Sequence, residues 1–172
     1  MVSRAGKVLL YVLAVNLPLL PAALAQNSPA PCADASHAQF DFWVGEWDVT
    51  KPDGSPAGTS RIEKILGGCV IFENWASASG GYAGKSFNTF DALSRKWNQV
   101  WVDTTGTTLH FSGRFDGKVM DMSGTQETAE GTLQHRMSYT ANADGTIRQL
   151  WQQSRDGKEW QVLFDGVYRR KR

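Results

Sequence analysis

The sequence predicts an all-β domain that closes into an antiparallel up-and-down barrel of about ten strands. Its apolar segments are short and rich in valine, isoleucine, threonine and aromatic residues, which suit the half-buried surface of a strand. Turn pairs such as Asp116-Gly117 and Asp144-Gly145 separate these segments and allow only antiparallel neighbours, because a parallel connection is much longer. No amphipathic helix is available to cover the sheet, so closure would bury its apolar face and remove its edges.

Residues 1–25 have the pattern of a secretory signal peptide. A basic start and an apolar run precede small residues at Ala23 and Ala25, which form a processing site. The run is too short for a membrane-spanning helix. Residues 26–36 are rich in proline, alanine, serine and asparagine, so we expect a flexible tether that builds no core. A single domain over 37–172 follows, in a protein exported to the periplasm or secreted.

Two cysteines, Cys32 and Cys69, are present in the chain. Export would place them in an oxidising compartment, where a disulfide persists, and we predict that they pair. The bridge would attach the N-terminal segment to the second or third strand. Two buried, unpaired thiols are the alternative. A metal site would need a neighbouring histidine pair, and His37, His110 and His135 are too dispersed to supply one. We therefore predict no metal and no cofactor.

The charge balance argues against nucleic acid as a partner. The chain has 18 basic and 17 acidic residues, and its basic residues are scattered except for the tail over 169–172. A nucleic-acid-binding surface requires a basic stripe or patch. We expect a protein without a membrane span that is a monomer or a weak dimer.

The elements follow one another in a meander. A helical turn over 36–42 is too short to be an independent helix and would close one end of the barrel. The predicted strands cover residues 43–50, 58–66, 69–76, 84–91, 97–104, 107–115, 118–126, 132–141, 146–154 and 160–169. A two-layer sandwich remains the competing architecture, because the number of strands does not separate it from a barrel.

Alternation in the last predicted strand favours a wall that is buried on one side. One face carries mainly aromatic and apolar residues, whereas Gln161, Asp165 and Arg169 lie on the other. We expect the first face to point inward. Its members are Trp160, Val162, Phe164, Gly166 and Tyr168.

The triplet Gly45-Glu46-Trp47 stands at the start of the first predicted strand. This Gly-x-Trp motif resembles the opening of the calycin-like barrels, the group that includes lipocalins and nitrobindins. That resemblance implies a barrel in which Trp47 packs against Arg169 or Arg170 of the last strand. Nitrobindins bind haem and continue the motif with glycines, whereas this chain has Asp48 and Val49. The resemblance therefore does not extend to haem.

The chain also resembles the DUF1579-like family of small exported bacterial proteins. This resemblance implies the barrel fold and no particular activity, because a fold does not determine a function. The resembling segments are residues 40–49, 67–75, 84–88, 97–103 and 164–169.

The seven tryptophans, several of them next to amides or acids, indicate a binding cavity. Aromatic walls supply contact area, and a few buried polar groups orient a ligand. Strand alternation places Glu73 with Trp75 on one face, and Gln99 with Trp101 and Asp103 on another. Alternatively, the tryptophans fill the barrel and the amides lie outside. The candidate ligand-binding residues are Glu73, Trp75, Asn88, Gln99, Trp101, Asp103 and Trp151.

Three function classes are compatible with these residues. The first is a carrier or sensor that binds a small apolar or aromatic molecule in the lumen. The second is a lyase, isomerase or hydrolase, because a buried Glu73 or Asp103 would have a raised pKa and could act as a general acid or base. The third is an envelope interaction module that uses an outer tryptophan patch. The sequence alone does not decide whether the protein is an enzyme.

Overall fold

The computed structural model describes residues 31–171, in which ten strands follow one another. All ten predicted strands are confirmed, and their boundaries agree to within two residues. No helix in this range is long and apolar enough to cross a membrane. The strands are β1 (Gly45–Thr50), β2 (Pro56–Ile65), β3 (Val70–Ser77), β4 (Ala83–Asp91), β5 (Lys96–Asp103), β6 (Thr108–Phe115), β7 (Val119–Thr128), β8 (Gly131–Ala141), β9 (Ile147–Ser154) and β10 (Gln161–Arg170).

The ten strands form one closed antiparallel barrel, which confirms the predicted fold and excludes the sandwich. Each strand pairs with the next in the chain, as the short connections require. The pairing of β1 with β10 closes the barrel, with Trp47 opposite Arg170 and Val49 opposite Tyr168. Closure leaves no edge strand and gives every strand one inward face.

The chain before β1 closes one end of the barrel. A short 3-10 helix, η1, covers Asp41–Trp43, slightly later than the helical turn predicted over 36–42. Phe40 and Trp43 are fully buried, and their rings stack with centroids 4.9 Å apart. Phe40 also contacts the ring of Tyr139 edge-on at 5.0 Å. We call residues 36–43 the plug, because their aromatic rings fill this end of the lumen.

The predicted disulfide between Cys32 and Cys69 is present. Cys69 follows the turn between β2 and β3, so the bridge fixes the chain just before the plug to this end of the barrel. Disulfides persist in oxidising compartments. The bridge therefore agrees with a protein that works outside a reducing cytosol.

The Gly-x-Trp motif has a physical reason in this barrel. The Arg170 guanidinium lies 4.6 Å from the Trp47 ring, so the contact implied by the resemblance is made by Arg170. Arg170 also donates to the Val44 carbonyl oxygen at 3.2 Å. Gly45 has a φ of +149°, and a side chain there would meet the Arg170 guanidinium. Glycine is required at this position both for its backbone and for the space it leaves.

The predicted inward face of the last strand is wrong at its beginning. Val162 is 52% exposed, and Trp160 precedes β10 with its ring 4.1 Å from the Arg136 guanidinium on the outer surface. The cause is an extra residue, Leu163. Val162 pairs with Gln152 of β9 and Phe164 pairs with the adjacent Trp151, so Leu163 has no partner in the register. Such a bulge shifts the alternation by one. The prediction is correct for the residues after the bulge, Phe164, Gly166 and Tyr168.

Candidate ligand-binding site

A cavity of about 270 Å³ occupies the lumen above the plug. Its wall has one carboxylate, two amides and ten apolar or aromatic side chains, without lysine, arginine or histidine. Leu163 belongs to this wall and is 41% exposed, so the cavity reaches the surface at the end opposite the plug. The lining residues are Glu73, Trp75, Tyr82, Gln99, Trp101, Phe111, Met137, Tyr139, Gln149, Trp151, Leu163, Phe164 and Tyr168.

Glu73 on β3 is the carboxylate of this wall, and it is 4% exposed. The Ser60 hydroxyl on β2 donates to Glu73 Oε1 at 2.9 Å, and the Ser86 hydroxyl on β4 donates to Oε2 at 3.0 Å. Removal from water raises the pKa of Glu73 to about 7, although the two serine hydrogen bonds favour the ionised form. Glu73 therefore changes charge near neutral pH.

A chain of hydrogen bonds behind the wall leads to Glu73. Gln99 Nε2 donates to Asn88 Oδ1 at 2.7 Å. Asn88 Nδ2 donates to the Ser86 oxygen at 3.0 Å, and Ser86 in turn donates to Glu73. Asn88 is fully buried behind the lining, where it orients Gln99 and Ser86. The carboxylate is thus held in place by groups whose own positions are fixed.

Two buried tyrosines complete the polar part of the lumen. Gln99 Nε2 and Gln149 Nε2 donate to the Tyr139 hydroxyl oxygen at 3.1 and 3.2 Å. The Tyr168 hydroxyl donates to Gln149 Oε1. Burial, and to a smaller extent the negative charge of Glu73, raises the pKa of both tyrosines well above the usual value. Both therefore remain neutral hydrogen-bonding groups at physiological pH.

Glycines on neighbouring strands make room for the tryptophans of the wall. A side chain at Gly84 on β4 would overlap the Trp101 indole, and one at Gly58 on β2 would lie 2.7 Å from the Trp75 ring. Both glycines are buried on the inward face of their strands. Each ring therefore covers a bare stretch of backbone, which keeps the lumen open although its walls contain large side chains.

Asp103 lies at the open end of the lumen, outside the lining. Its Oδ2 accepts hydrogen bonds from Trp101 Nε1 at 3.2 Å and from the Tyr82 hydroxyl at 3.1 Å. Its Oδ1 accepts from the Thr105 amide and hydroxyl at 2.8 and 2.6 Å. Partial burial alone would raise the pKa of Asp103, but the bonds from Thr105, Trp101 and Tyr82 outweigh it and lower the pKa. The expected raised pKa is thus wrong for Asp103, which positions two aromatic side chains.

Trp151 lies in the wall, where a buried histidine holds it. Trp151 Nε1 donates to His135 Nδ1 at 3.2 Å. The proton of the neutral His135 ring therefore lies on Nε2, which is 3.3 Å from Gln126 Oε1. Burial lowers the pKa of His135, which favours this neutral form. His110 is exposed on the outer face. Within residues 31–171, no group of three histidine, cysteine, aspartate or glutamate side chains could hold a metal ion.

The structure therefore brings five of the predicted residues to one cavity and puts two beside it. Glu73, Trp75, Gln99, Trp101 and Trp151 line the lumen, as strand alternation predicts for the first four. Asn88 and Asp103 support the wall from behind and from the rim. The predicted ligand-binding residues did not include six further members of the wall, namely Tyr82, Phe111, Met137, Tyr139, Gln149 and Leu163.

The outer wall lacks the tryptophan patch that the interaction module requires. All seven tryptophans fall within the described residues, and only Trp160 lies on the outer surface. Of the others, Trp43, Trp47 and Trp97 are buried in the core, and the remaining three line the lumen. A single tryptophan covered by an arginine does not form an apolar patch.

No protein-family model matches the chain, and no curated protein is significantly similar to it in sequence. The closed barrel of ten strands agrees with a calycin-like fold. The likeness to the DUF1579-like family, by contrast, gains no support from these comparisons and stays a prediction.

Gly84→Val is expected to displace Trp101 and destabilise the protein. The new side chain would overlap the indole, and overpacking of this kind costs about 1–3 kcal/mol. Urea unfolding measures the loss, and the tryptophan emission spectrum of the folded protein reports the displaced ring. Thr108→Val, on the exposed face of β6, is the matched control and should change neither. An unchanged emission spectrum in Gly84→Val would show that the glycine is not needed to seat the ring.

Glu73 is expected to make the folded state less stable as the pH rises. Its pKa is about 7 in the fold, against a value of 4.5 without burial. The folded state thus retains the proton to higher pH, and this stabilisation is complete below about 4.5 and lost as the pH rises to 7. The difference in unfolding free energy between the wild type and Glu73→Gln should change by about 3 kcal/mol over this window.

Urea unfolding of both proteins from pH 4 to pH 8 measures this difference. His135 has a lowered pKa and gives a slope of opposite sign, but it contributes equally to both proteins and cancels. A difference that is constant with pH would contradict the assignment of a raised pKa to Glu73.

Proposed function

We propose that this protein binds a small aromatic molecule in the lumen of its barrel and does not transform it. The observation that supports this most directly is the cavity itself, with eight aromatic side chains around one carboxylate and two amides. Small-molecule sites combine apolar walls with a few placed polar groups in this way. The volume of about 270 Å³ is near the lower end of the range for such sites, so a molecule of one or two rings fits best.

The arrangement of the lumen supports binding in a fixed orientation. The plug closes one end with Phe40 and Trp43, which contact Tyr139 in the cavity wall. The polar groups Gln99 and Gln149 are bonded to the same tyrosine and hence lie near this closed end. A ligand would enter from the open end near Leu163, with its polar group leading.

The same proposal includes a location outside the cytosol, in the periplasm or the medium. The disulfide between Cys32 and Cys69 supports it, because such bridges persist in oxidising compartments. The proposed signal peptide over 1–25 lies outside the described residues. Mass determination of the protein purified from its own source tests this part, since removal of residues 1–25 would leave Gln26 as the first residue.

Native mass spectrometry of protein purified from its own source tests the binding proposal. We expect a retained small molecule, which denaturation releases, and calorimetric binding of indole to the emptied protein. Gly84→Val should weaken the binding of indole, because the valine displaces the Trp101 side chain into the lumen. Thr108→Val should not weaken it. A protein that retains no molecule and gives no heat with indole would overturn the proposal.

Acid–base catalysis is the second candidate, and the raised pKa of Glu73 favours it. A group that titrates near the working pH suits proton transfer. In the described wall, however, the other titratable groups are tyrosines with raised pKa values, so no partner acid or base stands opposite Glu73. If a turnover is found, Glu73→Gln should abolish it, and unchanged turnover would remove Glu73 from the mechanism.

A further inference from the structure

The charge of the lumen restricts what it can bind. Glu73 is the sole carboxylate of the described wall, which has no lysine, arginine or histidine. A ligand with its own carboxylate would bring a second negative charge beside Glu73 without any counter-ion. Buried charges are costly unless they are paired. The wall is therefore complementary to a cation, or to a neutral hydrogen-bond donor.

Hydrogen bonding points in the same direction, because the lumen presents free acceptors and few free donors. Glu73 accepts one hydrogen bond on each oxygen, and a carboxylate can accept about four. Gln99 uses its amide hydrogens on Asn88 and Tyr139, while its Oε1 accepts no bond from residues 31–171. Gln149 likewise uses its amide hydrogens within the wall, on Met137 and Tyr139.

The aromatic donors of the wall are also engaged. Trp101 Nε1 and the Tyr82 hydroxyl donate to Asp103, and Trp151 Nε1 donates to His135. The hydroxyls of the other two tyrosines donate to Met137 and Gln149. Within the described wall, the Trp75 indole is the one N–H with no such partner. A ligand must therefore bring its own donors, and an ammonium group brings three.

Aromatic residues share the cavity wall with Glu73. Trp75 is two residues from Glu73 on the same inward face of β3, and Trp101 and Tyr82 follow toward the mouth. Ring faces attract ammonium groups through the negative potential of the ring. A carboxylate within aromatic walls is thus a site for an organic cation whose apolar part contacts the remaining rings.

We infer that the lumen takes a small aromatic amine, with its ammonium group on the Glu73 carboxylate and its ring between the tryptophans of the wall. This inference rests on the proposed function and specifies the ligand class. The ammonium would donate to Glu73 and to Gln99 Oε1, which satisfies both free acceptors. Ser60 and Ser86 position the carboxylate for this contact.

Isothermal titration calorimetry at pH 7.5 with three probes tests the inference. Tryptamine, indole and indole-3-acetate share one ring system and carry a positive, a neutral and a negative group. We expect tryptamine to bind at least about tenfold more tightly than indole, because only tryptamine makes a charge-assisted hydrogen bond to Glu73. Indole-3-acetate should bind more weakly than indole. These comparisons use the wild-type protein, so they do not depend on whether a variant folds.

The variant Glu73→Gln tests whether the Glu73 carboxylate causes the tighter binding of tryptamine. This variant keeps the shape and acceptor oxygen of the side chain but has no charge, so the ratio of tryptamine affinity to indole affinity should fall to about one. Glu63→Gln is the matched control, because Glu63 on β2 pairs with Arg61 near the surface and should not affect either probe. Tryptamine that keeps its full advantage in Glu73→Gln would overturn the assignment of the ammonium to Glu73.

The affinity for tryptamine should also depend on pH in the wild type. Between pH 7.5 and 5.5 it should fall by about tenfold, because protonation of Glu73 removes the charge that the ammonium needs. The titratable groups around Glu73 are Tyr82, Tyr139 and Tyr168, whose pKa values are raised, and Asp103, whose pKa is lowered. None of these changes charge in this interval.

His135 lies behind Trp151 and has a lowered pKa. It is also present in Glu73→Gln, so any pH dependence that it causes would remain in that variant. We expect the pH dependence of tryptamine affinity to vanish in Glu73→Gln, which would assign it to Glu73.

Two negative results are distinguishable. If indole binds and tryptamine has no advantage, the amine inference is overturned and the proposed binding function stands. If no probe binds and no molecule is retained, the binding function itself is overturned.

Discussion

Trp43→Ala is expected to lower the free energy of unfolding by about 3–5 kcal/mol, the usual cost of truncating a buried tryptophan. The Trp43 side chain is fully buried in the plug. It stacks on Phe40 and contacts the Tyr139 ring at 4.7 Å and the Tyr168 ring at 6.3 Å. Its loss would leave a cavity beneath the polar end of the lumen, and the rigid barrel wall cannot collapse to fill it.

Urea unfolding of the wild type and the variant measures this loss. Trp160→Ala is the matched control, because Trp160 lies on the outer surface beside Arg136, where the change should stay below about 1 kcal/mol. A loss below 1 kcal/mol in Trp43→Ala would mean that the plug contributes little to the folded state.

Trp43→Phe separates packing from hydrogen bonding in the plug. Trp43 Nε1 is buried and has no hydrogen-bond partner among the described residues, and such a group costs about 1–3 kcal/mol. Phenylalanine keeps most of the ring contacts and removes this donor. We therefore expect Trp43→Phe to lose much less stability than Trp43→Ala, which the same urea series measures.

The parts of the fold that the sequence predicts well are those that depend on local chemistry. Turn residues such as Asp116-Gly117 and Asp144-Gly145 restrict the backbone where they stand, so the strand boundaries follow from them. Alternation within one strand also places Glu73 beside Trp75 and Gln99 beside Trp101, because these pairs are two residues apart.

The features that were wrong or missed depend on residues far apart in the chain. Trp160 and Val162 lie outside because a single bulge at Leu163 shifts the alternation, and no local composition signals it. Tyr139 meets Gln99 across 40 positions of sequence, and only closure of the barrel brings them together. For Tyr168, the alternation of the last strand does predict an inward side chain. It does not indicate the hydrogen-bond partner, Gln149, which lies on another strand.

The paired variant Cys32→Ser, Cys69→Ser is expected to lower the free energy of unfolding by about 4 kcal/mol. The two cysteines are 37 positions apart. Closing a loop of that size lowers the conformational entropy of the unfolded chain, which raises its free energy by roughly this amount. The plug keeps its ring contacts in the variant, because Phe40 and Trp43 are held by the barrel interior. The effect therefore arises in the unfolded state, whereas that of Trp43→Ala arises in the folded one.

Urea unfolding with and without dithiothreitol measures the contribution of the bridge, and indole binding reports whether the folded state has changed. The reductant should destabilise the wild type to the level of the paired serine variant and leave that variant unchanged. Because the lumen keeps its shape, the affinity of the serine variant for indole should equal that of the wild type at low urea. Equal stability of the two proteins without reductant would contradict the role of the bridge. Weakened indole binding in the serine variant would instead show that the disulfide also holds the plug, and with it the closed end of the site, in position.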